Sequence, residues 1–554
     1  MDKSKRLGVA FLWHMHQPYY KDIFSGKYLL PWVRLHGVKD YYPMAALVEN
    51  FDDLRMSFNM VPSLVEQIID YVENNATDTW LDLTLKKATQ LTSDDKIHIL
   101  NNFFSVNAVR FISPHPRYFE LLAKKRTRAL TPALFRIISK NFSARDFLDL
   151  QVLFNLAWFH SITVDEDVNL KGLIEKRESY SEEDKVYVME KQRGVMARII
   201  PLYKRLEEAG KIEITTTPYY HPIMPLLCDT SIARVSSPHM RLPGERFRHP
   251  EDASWHAEEA VNYHEEIFGR RPKGMWPSEG SVSDETLGIL MSKGIDWVAT
   301  DEDILFRSLP HSDRPRKGKG HPDRRLIYQP YSFEKGSERI SMVFRDKNLS
   351  DKISFAYNQW DPTDAVNDLL GHFKRIGDNL RRDADRGITT IVMDGENAWD
   401  YYPDNGRRFF ETLYSKLDKD ATMGSTTISG YLKNEKRKKK LSTVFPGSWI
   451  DHNFEIWIGQ EQDNISWEYL DRVRKDLVKF TQAAGSEAAD ADSSARKAWR
   501  EFYIAEGSDW NWWYKGKAGT GGDVGFDRLY RTHLKNVYKF MKKPVPDFLK
   551  ISIV

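Results

Sequence analysis

Short apolar runs alternate with amphipathic helical segments along most of this chain, and that alternation limits the fold more than any other feature of the sequence. The runs are Leu7 to Trp13, Leu54 to Met60, Ile212 to Thr217, Gly274 to Trp276, Ile295 to Thr300, Ile340 to Phe344 and Ile388 to Met393. Each reads as a strand buried on both faces. An apolar stripe at helical spacing marks Val61 to Val72, Lys191 to Ala209, Ala253 to Phe268, Asp284 to Lys293, Asp361 to Asn379 and Gly406 to Leu417. Repeated strand and helix predict a parallel α/β barrel, closed or nearly so, in preference to an antiparallel sandwich.

Two regions break the rhythm. From about residue 78 to 200 the pattern is helical, with Ser93 to Phe111 and Ala144 to Phe159 as the clearest segments, so this stretch is expected to be a helical insertion in a barrel connection. After residue 430 helices are expected at Trp467 to Ala483, Ser494 to Ala505 and Gly525 to Met541, with a small polar linker from Ala484 to Ser493. At 554 residues the chain exceeds the roughly 250 to 300 at which single cores stop growing. The expected organisation is a catalytic barrel over 1–430 and a helical domain over 431–554 that closes over the cleft.

Charge narrows the partners. Lys and Arg number 81 against 79 Asp and Glu, and a net charge of +2 provides no field for drawing in a polyanion. The basic clusters Arg314 to His321 and Lys433 to Lys440 read as solvated loops. Nucleic acid is therefore not expected. The single cysteine, Cys228, rules out an intrachain disulfide and reads as a buried structural thiol in a reducing compartment. With no run of ~18 apolar residues and no secretory pattern at the start, the expectation is a soluble, cytoplasmic protein without a membrane partner.

In a parallel barrel the chemistry gathers at the C-terminal ends of the strands. The residues following the runs form an unusual set: His14, His16 and Tyr19; Tyr219, Tyr220 and His221; Trp276 and Glu279; Asp301 and Asp303; Asp394 and Glu396. His14 and His16, at i and i+2, would share one face of an extended strand. They could present two imidazoles to zinc, with His221, Glu213 or Asp394 as a third ligand. The other reading has them hydrogen-bonding sugar hydroxyls and a cleft carboxylate, and this one needs no metal.

A lone acid after a strand is most often a helix cap or a solvated loop residue. Two acidic blocks, Gly274-Met-Trp-Pro-Ser-Glu279 and Asp394-Gly-Glu396, suggest more: a carboxylate pair for glycosidic chemistry. Asp394 and Glu396 repel one another if the strand runs through Gly395. That would raise one carboxyl toward a general acid and leave Glu279 ionised as the nucleophile. Trp276 would offer its indole face to a pyranose ring. A separation of ~5 to 5.5 Å between the acid and the nucleophile means retention of configuration, and ~6.5 to 9.5 Å means inversion. Near the C-terminus Asp509, Trp510, Trp512, Trp513 and Tyr514 suit a sugar surface as well as a core, and Trp449, Trp457 and Trp467 have weaker claims.

These blocks together resemble glycoside hydrolase family 57 over nearly the whole chain. The pattern appears in order as His14-Met-His16-Gln-Pro18, Gly210-Lys-Ile-Glu213-Ile, Trp276-Pro-Ser-Glu279, Asp394-Gly-Glu396 and Ser508-Asp509-Trp510. The resemblance implies an incomplete (β/α)7 barrel followed by a C-terminal helical domain. It implies Glu279 as catalytic nucleophile and Asp394 as general acid/base of a retaining reaction on α-glucans. It also implies a substrate site lined by His14, His16, Glu213, Trp276, Glu396, Asp509 and Trp510, to which the strand-end reading adds His221. Within the family the blocks look most like α-amylases and amylopullulanases, acting on starch, glycogen or maltooligosaccharides without a cofactor.

Three alternatives stay open at this stage. A 4-α-glucanotransferase or branching enzyme would use the same covalent intermediate. A zinc-dependent deacetylase or mannosidase-like hydrolase would use His14 and His16 as ligands. A catalytically silent glucan-binding protein would use only the aromatic surface. Linkage preference and oligomeric state are not legible in the sequence.

Overall fold

In the computed structural model of the chain the described residues are 6–125, 131–310, 323–382, 387–435, 437–484, 493–514 and 524–554. The basic stretch Arg314 to His321 and most of the linker Ala484 to Ser493 lie outside them. Seven parallel strands form a ring, one for each of the seven apolar runs: β1 (Leu7–Met15), β2 (Met56–Met60), β3 (Ile212–Thr215), β4 (Gly274–Met275), β5 (Trp297–Asp301), β6 (Glu338–Arg345) and β7 (Ile388–Asp394). Each strand pairs in parallel with the next except that β3 and β4 touch only through one bridge, Thr216 with Met275; β7 returns to β1. Short outlying strands flank this ring: Tyr331–Lys335 runs antiparallel beside β6, with Lys439–Leu441 at its outer edge, and Met423–Ser425 pairs with β1.

Alternation along the strands separates two cores. Phe11 and Trp13 of β1 point outward, where Trp13 packs against Trp399 and Phe410 at the helical layer. Ala10 and Leu12 point inward and join Trp276, Trp297, Ala299, Val343 and Val392 in a second cluster. The helix Ile428–Asn434 closes the lower end by placing Ile428, Tyr431 and Leu432 in that same cluster. Both faces of β1 are therefore buried throughout, which explains why its sequence is almost continuously apolar.

The connecting helices follow the expected periodicity, for example Pro62–Glu73, Pro250–Phe268, Asp284–Ser292 and Arg407–Lys419. Between Thr79 and Glu208 the described residues contain helices and no strand, in keeping with the expected insertion. The segment expected to be one helix from Ser93 to Phe111 is instead two. A helix ends at Asn102, and a π-helix over Ala108–Ile112 follows, with Asn107 capping its first amide groups. The C-terminal region contains the helices Glu461–Ala484, Ser494–Ala505, Asp509–Tyr514 and Val524–Phe540. Lys438 and Lys440 of the second basic cluster lie against the sheet edge, where they bond Ser341 and Glu334. Cys228 is buried. No helix among the described residues is long and apolar enough to cross a membrane.

Candidate active site

Strand register brings the chemistry to one level. His14 pairs with Asp394 of β7 on one side and with Asn59 of β2 on the other, and Asn59 pairs with Thr215 of β3. His14 follows Ala10 and Leu12 on the inward face, so its imidazole sits at the top of the barrel interior. A cavity of about 400 Å³ opens there, and His14, His16, Glu279, Asp394, Glu396, Trp449 and Asp509 all line it. Trp512, Trp513 and Phe526 form part of its outer wall, with the Trp513 and Phe526 rings stacked at 4.7 Å.

Glu279 leaves β4 on a strained turn. Its backbone is left-handed at φ 58°, a conformation that non-glycine residues adopt at a cost of about 1–3 kcal/mol and that clusters at functional sites. The turn is clamped: Thr300 donates its hydroxyl to the Gly280 carbonyl at 2.6 Å, and the Trp449 backbone N–H donates to the Glu279 carbonyl at 2.9 Å. The Trp449 indole N–H then donates to Glu279 Oε2 at 2.7 Å.

Protein enclosure raises all three acids. Glu279 is pushed up to about 8, first by burial and then by the negative charge of Asp394. Asp394 is pushed up to about 6 by burial, against the pull of His16 and Arg345. Glu396 is raised well above the usual carboxylate range by burial and by Asp394. Burial thus pushes Glu279 further up than Asp394, which differs from the expectation that Glu279 stays ionised as the nucleophile. Of the two, Glu279 is the weaker acid.

Glu396 does not continue the strand as the sequence spacing assumed. β7 ends at Asp394, Glu396 adopts a helical backbone, and its buried carboxylate turns back to accept the His16 backbone N–H at 2.8 Å.

The histidines form a stack. His16 and His221 lie face to face at 3.9 Å, and His14 shares a 3.2 Å hydrogen bond with His221 through their Nε2 atoms. Asn59 Oδ1 holds His14 Nδ1 at 2.6 Å, Ser508 holds His221 Nδ1 at 2.8 Å, and Asp509 holds His16 Nε2 at 2.8 Å. Burial lowers His14 to about 3 and lowers His221 well below its ordinary value, so both are neutral at physiological pH. His16, His221 and Asp509 offer ligand atoms within 4.8 Å of one another. His16 Nε2 bonds Asp509, and His221 bonds His14 and Ser508, while His16 Nδ1 is buried with no hydrogen-bond partner among the described residues. The bonds that are made fit the hydrogen-bonding role.

Four expected site residues lie off the cleft. Glu213 points inward but one layer lower, since it pairs with Ser57, which itself pairs with Leu12. There it accepts from Ser57 Oγ at 3.1 Å, Trp297 Nε1 at 3.2 Å and the Ser429 backbone at 3.1 Å. Trp276 is fully buried beneath Trp449, edge to face at 5.3 Å, and presents no free face. Trp510 is a core residue whose indole donates to the Ile504 carbonyl, and His221 stands behind His16. Trp457 and Trp467 are likewise buried. The aromatic ring against Glu279 is Trp449, which comes from a distant segment with no recognisable pattern around it.

The profile of Glycosyl hydrolase family 57 matches residues 10–444. Among solved structures, the chain is similar to a family 57 branching enzyme from Thermococcus kodakaraensis, with 16% identity and a TM-score of 0.59 over 96% of this chain and 90% of that one. It is also similar to an α-amylase from Thermotoga maritima, with 13% identity and a TM-score of 0.56 over 98% of this chain and 96% of that one. A branching enzyme from Pyrococcus horikoshii matches with 14% identity and a TM-score of 0.58 over 99% and 97%. At these identities the likeness is one of fold. No curated protein matches by sequence.

Proposed function

The chain belongs to glycosyl hydrolase family 57, and on that premise we propose that it is a retaining α-glucan hydrolase with Glu279 as nucleophile and Asp394 as general acid/base. The observation that carries this reading is that both carboxyls line one cavity, each at or just beyond the C-terminal end of a different strand, β4 and β7. In the first step Glu279 attacks the anomeric carbon as Asp394 gives its proton to the departing glycosidic oxygen. In the second, Asp394 takes a proton from water, which attacks the same carbon and releases Glu279. The first step needs Asp394 protonated and Glu279 ionised, the reverse of the order that burial sets in the free protein, so seated substrate must invert it. Neutral His14 and the His16–Asp509 pair are placed to hydrogen-bond the sugar, and Trp449 offers its ring beside the nucleophile.

A sugar hydroxyl in place of water would turn the same intermediate toward transfer, the activity of a glucanotransferase or branching enzyme. Incubating the protein and its Glu279→Gln variant with maltoheptaose, and resolving the products by size and anomer, tests the proposal. Shorter products of retained anomer from the wild type alone are expected. Longer or branched products would replace hydrolysis by transfer, and inverted products would overturn the nucleophile role.

A further inference from the structure

The four most exposed Trp and Tyr side chains among the described residues are Tyr401 at 57%, Trp360 at 46%, Trp512 at 41% and Trp513 at 37%. Trp512 and Trp513 line the cleft. Trp360 and Tyr401 belong to the loops that leave β6 and β7, and so lie on the same C-terminal face of the barrel. Phe355, 74% exposed, stands on the first of these loops within a π-helix over Lys352–Ala356, a geometry frequent at functional sites. Nothing in the cleft described so far uses these three rings.

Their base is rigid. The Tyr402 hydroxyl donates to the Ile353 carbonyl at 2.6 Å and ties the two loops together. Trp360 rests edge-on against Tyr357 at 5.5 Å, and the Tyr357 hydroxyl donates to Asp368 at 2.7 Å. Arg110 of the helical insertion donates to the Tyr401 carbonyl at 2.9 Å. The charges of the first loop are paired, Lys352 with Asp368, Asp351 with Arg345 and Lys347 with Asp303. The large rings that the loops present outward are Phe355, Trp360 and Tyr401. Asp400, next to Tyr401, lines the cleft itself, so the loop that carries Tyr401 borders the cavity.

We infer that Phe355, Trp360 and Tyr401 form an outer platform that binds the uncharged α-glucan chain where it continues beyond the cleft. Pyranose rings stack on aromatic faces through their apolar C–H surfaces and need no charged partner. A polymer would engage the platform; a short oligosaccharide would fill the cleft without reaching it. This inference rests on the proposed α-glucan specificity.

The test uses the full chain carrying Phe355→Ser, Trp360→Ala and Tyr401→Ala together, with Tyr401→Phe alone as a variant that keeps the ring. On amylose the triple variant should show a KM raised about tenfold, with kcat/KM on maltotriose unchanged and Tyr401→Phe behaving as wild type. In a Glu279→Gln background, migration through a native gel containing amylose should be retarded with the platform and freed without it. Equal amylose KM and equal retardation with and without the three rings would overturn the platform. Platform-dependent retardation in a protein that turns over no α-glucan would support the platform and remove the hydrolase reading. A wild type neither retarded by amylose nor active on it would remove both.

Discussion

The indole N–H of Trp449 donates to Glu279 Oε2 at 2.7 Å, while the Arg345 guanidinium covers the same indole at 5.2 Å. Arg345 also donates to the carbonyl of Val392, two residues before Asp394, at 2.8 Å, and pairs with Asp301 at 3.2 Å. One cation thus braces the ring that holds one carboxyl and the strand that carries the other.

Trp449→Phe keeps the ring and removes the donor. Because that hydrogen bond favours the ionised form of Glu279, its loss should raise the Glu279 value further. We expect kcat/KM on maltoheptaose to fall about 10- to 100-fold and the alkaline limb of the pH profile to move upward. An unchanged profile would mean that the bond does not act on the nucleophile.

The wild-type pH profile follows from the two raised carboxyls. Below about 6, the value of Asp394, both carboxyls are protonated and no nucleophile exists. Above about 8, the value of Glu279, both are ionised and no acid remains. The expected kcat/KM curve is a bell between those limbs, which belong to the pair rather than to either residue. A profile still rising at pH 9 would contradict this assignment.

Arg345→Met removes one of the two groups, with His16, that hold the Asp394 value down, and leaves buried Asp301 without its charged partner. The acid limb should shift to higher pH. Breaking a buried ion pair from one side should cost about 3–5 kcal/mol in denaturant unfolding. A loss of stability with an unmoved acid limb would confine Arg345 to a structural role.

Glu213→Ala should act on the fold rather than on the substrate. It leaves the donors of Ser57 and Ser429 without their acceptor, while Trp297 keeps its bond to Ser429 Oγ, at a cost of about 2–4 kcal/mol. KM for maltoheptaose should stay at the wild-type value. A raised KM at full folding would return Glu213 to the substrate site.

The strands were legible because burial on both faces leaves an unbroken apolar run, and each of the seven runs became a strand of the ring. The inward row of β1 also carried over, from Leu12 to His14. What the sequence left hidden was depth. Glu213 faces inward as expected but lies one layer short of the cleft, a difference that spacing within its own block does not encode. Trp276 and Glu279 are close in sequence, yet the left-handed turn at Glu279 sends the acid into the cleft and leaves the indole beneath Trp449. Trp449 itself reaches Glu279 from far along the chain, and no local pattern announces a contact of that range. The break between Asn102 and Ala108 was missed because apolar residues continue through it at near-helical spacing.

The single bridge between β3 and β4 means that the two carboxyls are mounted by different means. Asp394 ends a strand whose pairing with β1 runs from Gly8 with Ile388 to His14 with Asp394, so its position is inherited from an entire ladder. Glu279 follows a strand of two residues beside a seam closed by one isolated bridge. Its aim depends on Thr300 and Trp449, side chains that evolution can exchange one at a time. Drift in the reaction geometry should therefore accumulate on the Glu279 side, with Asp394 as the fixed reference point.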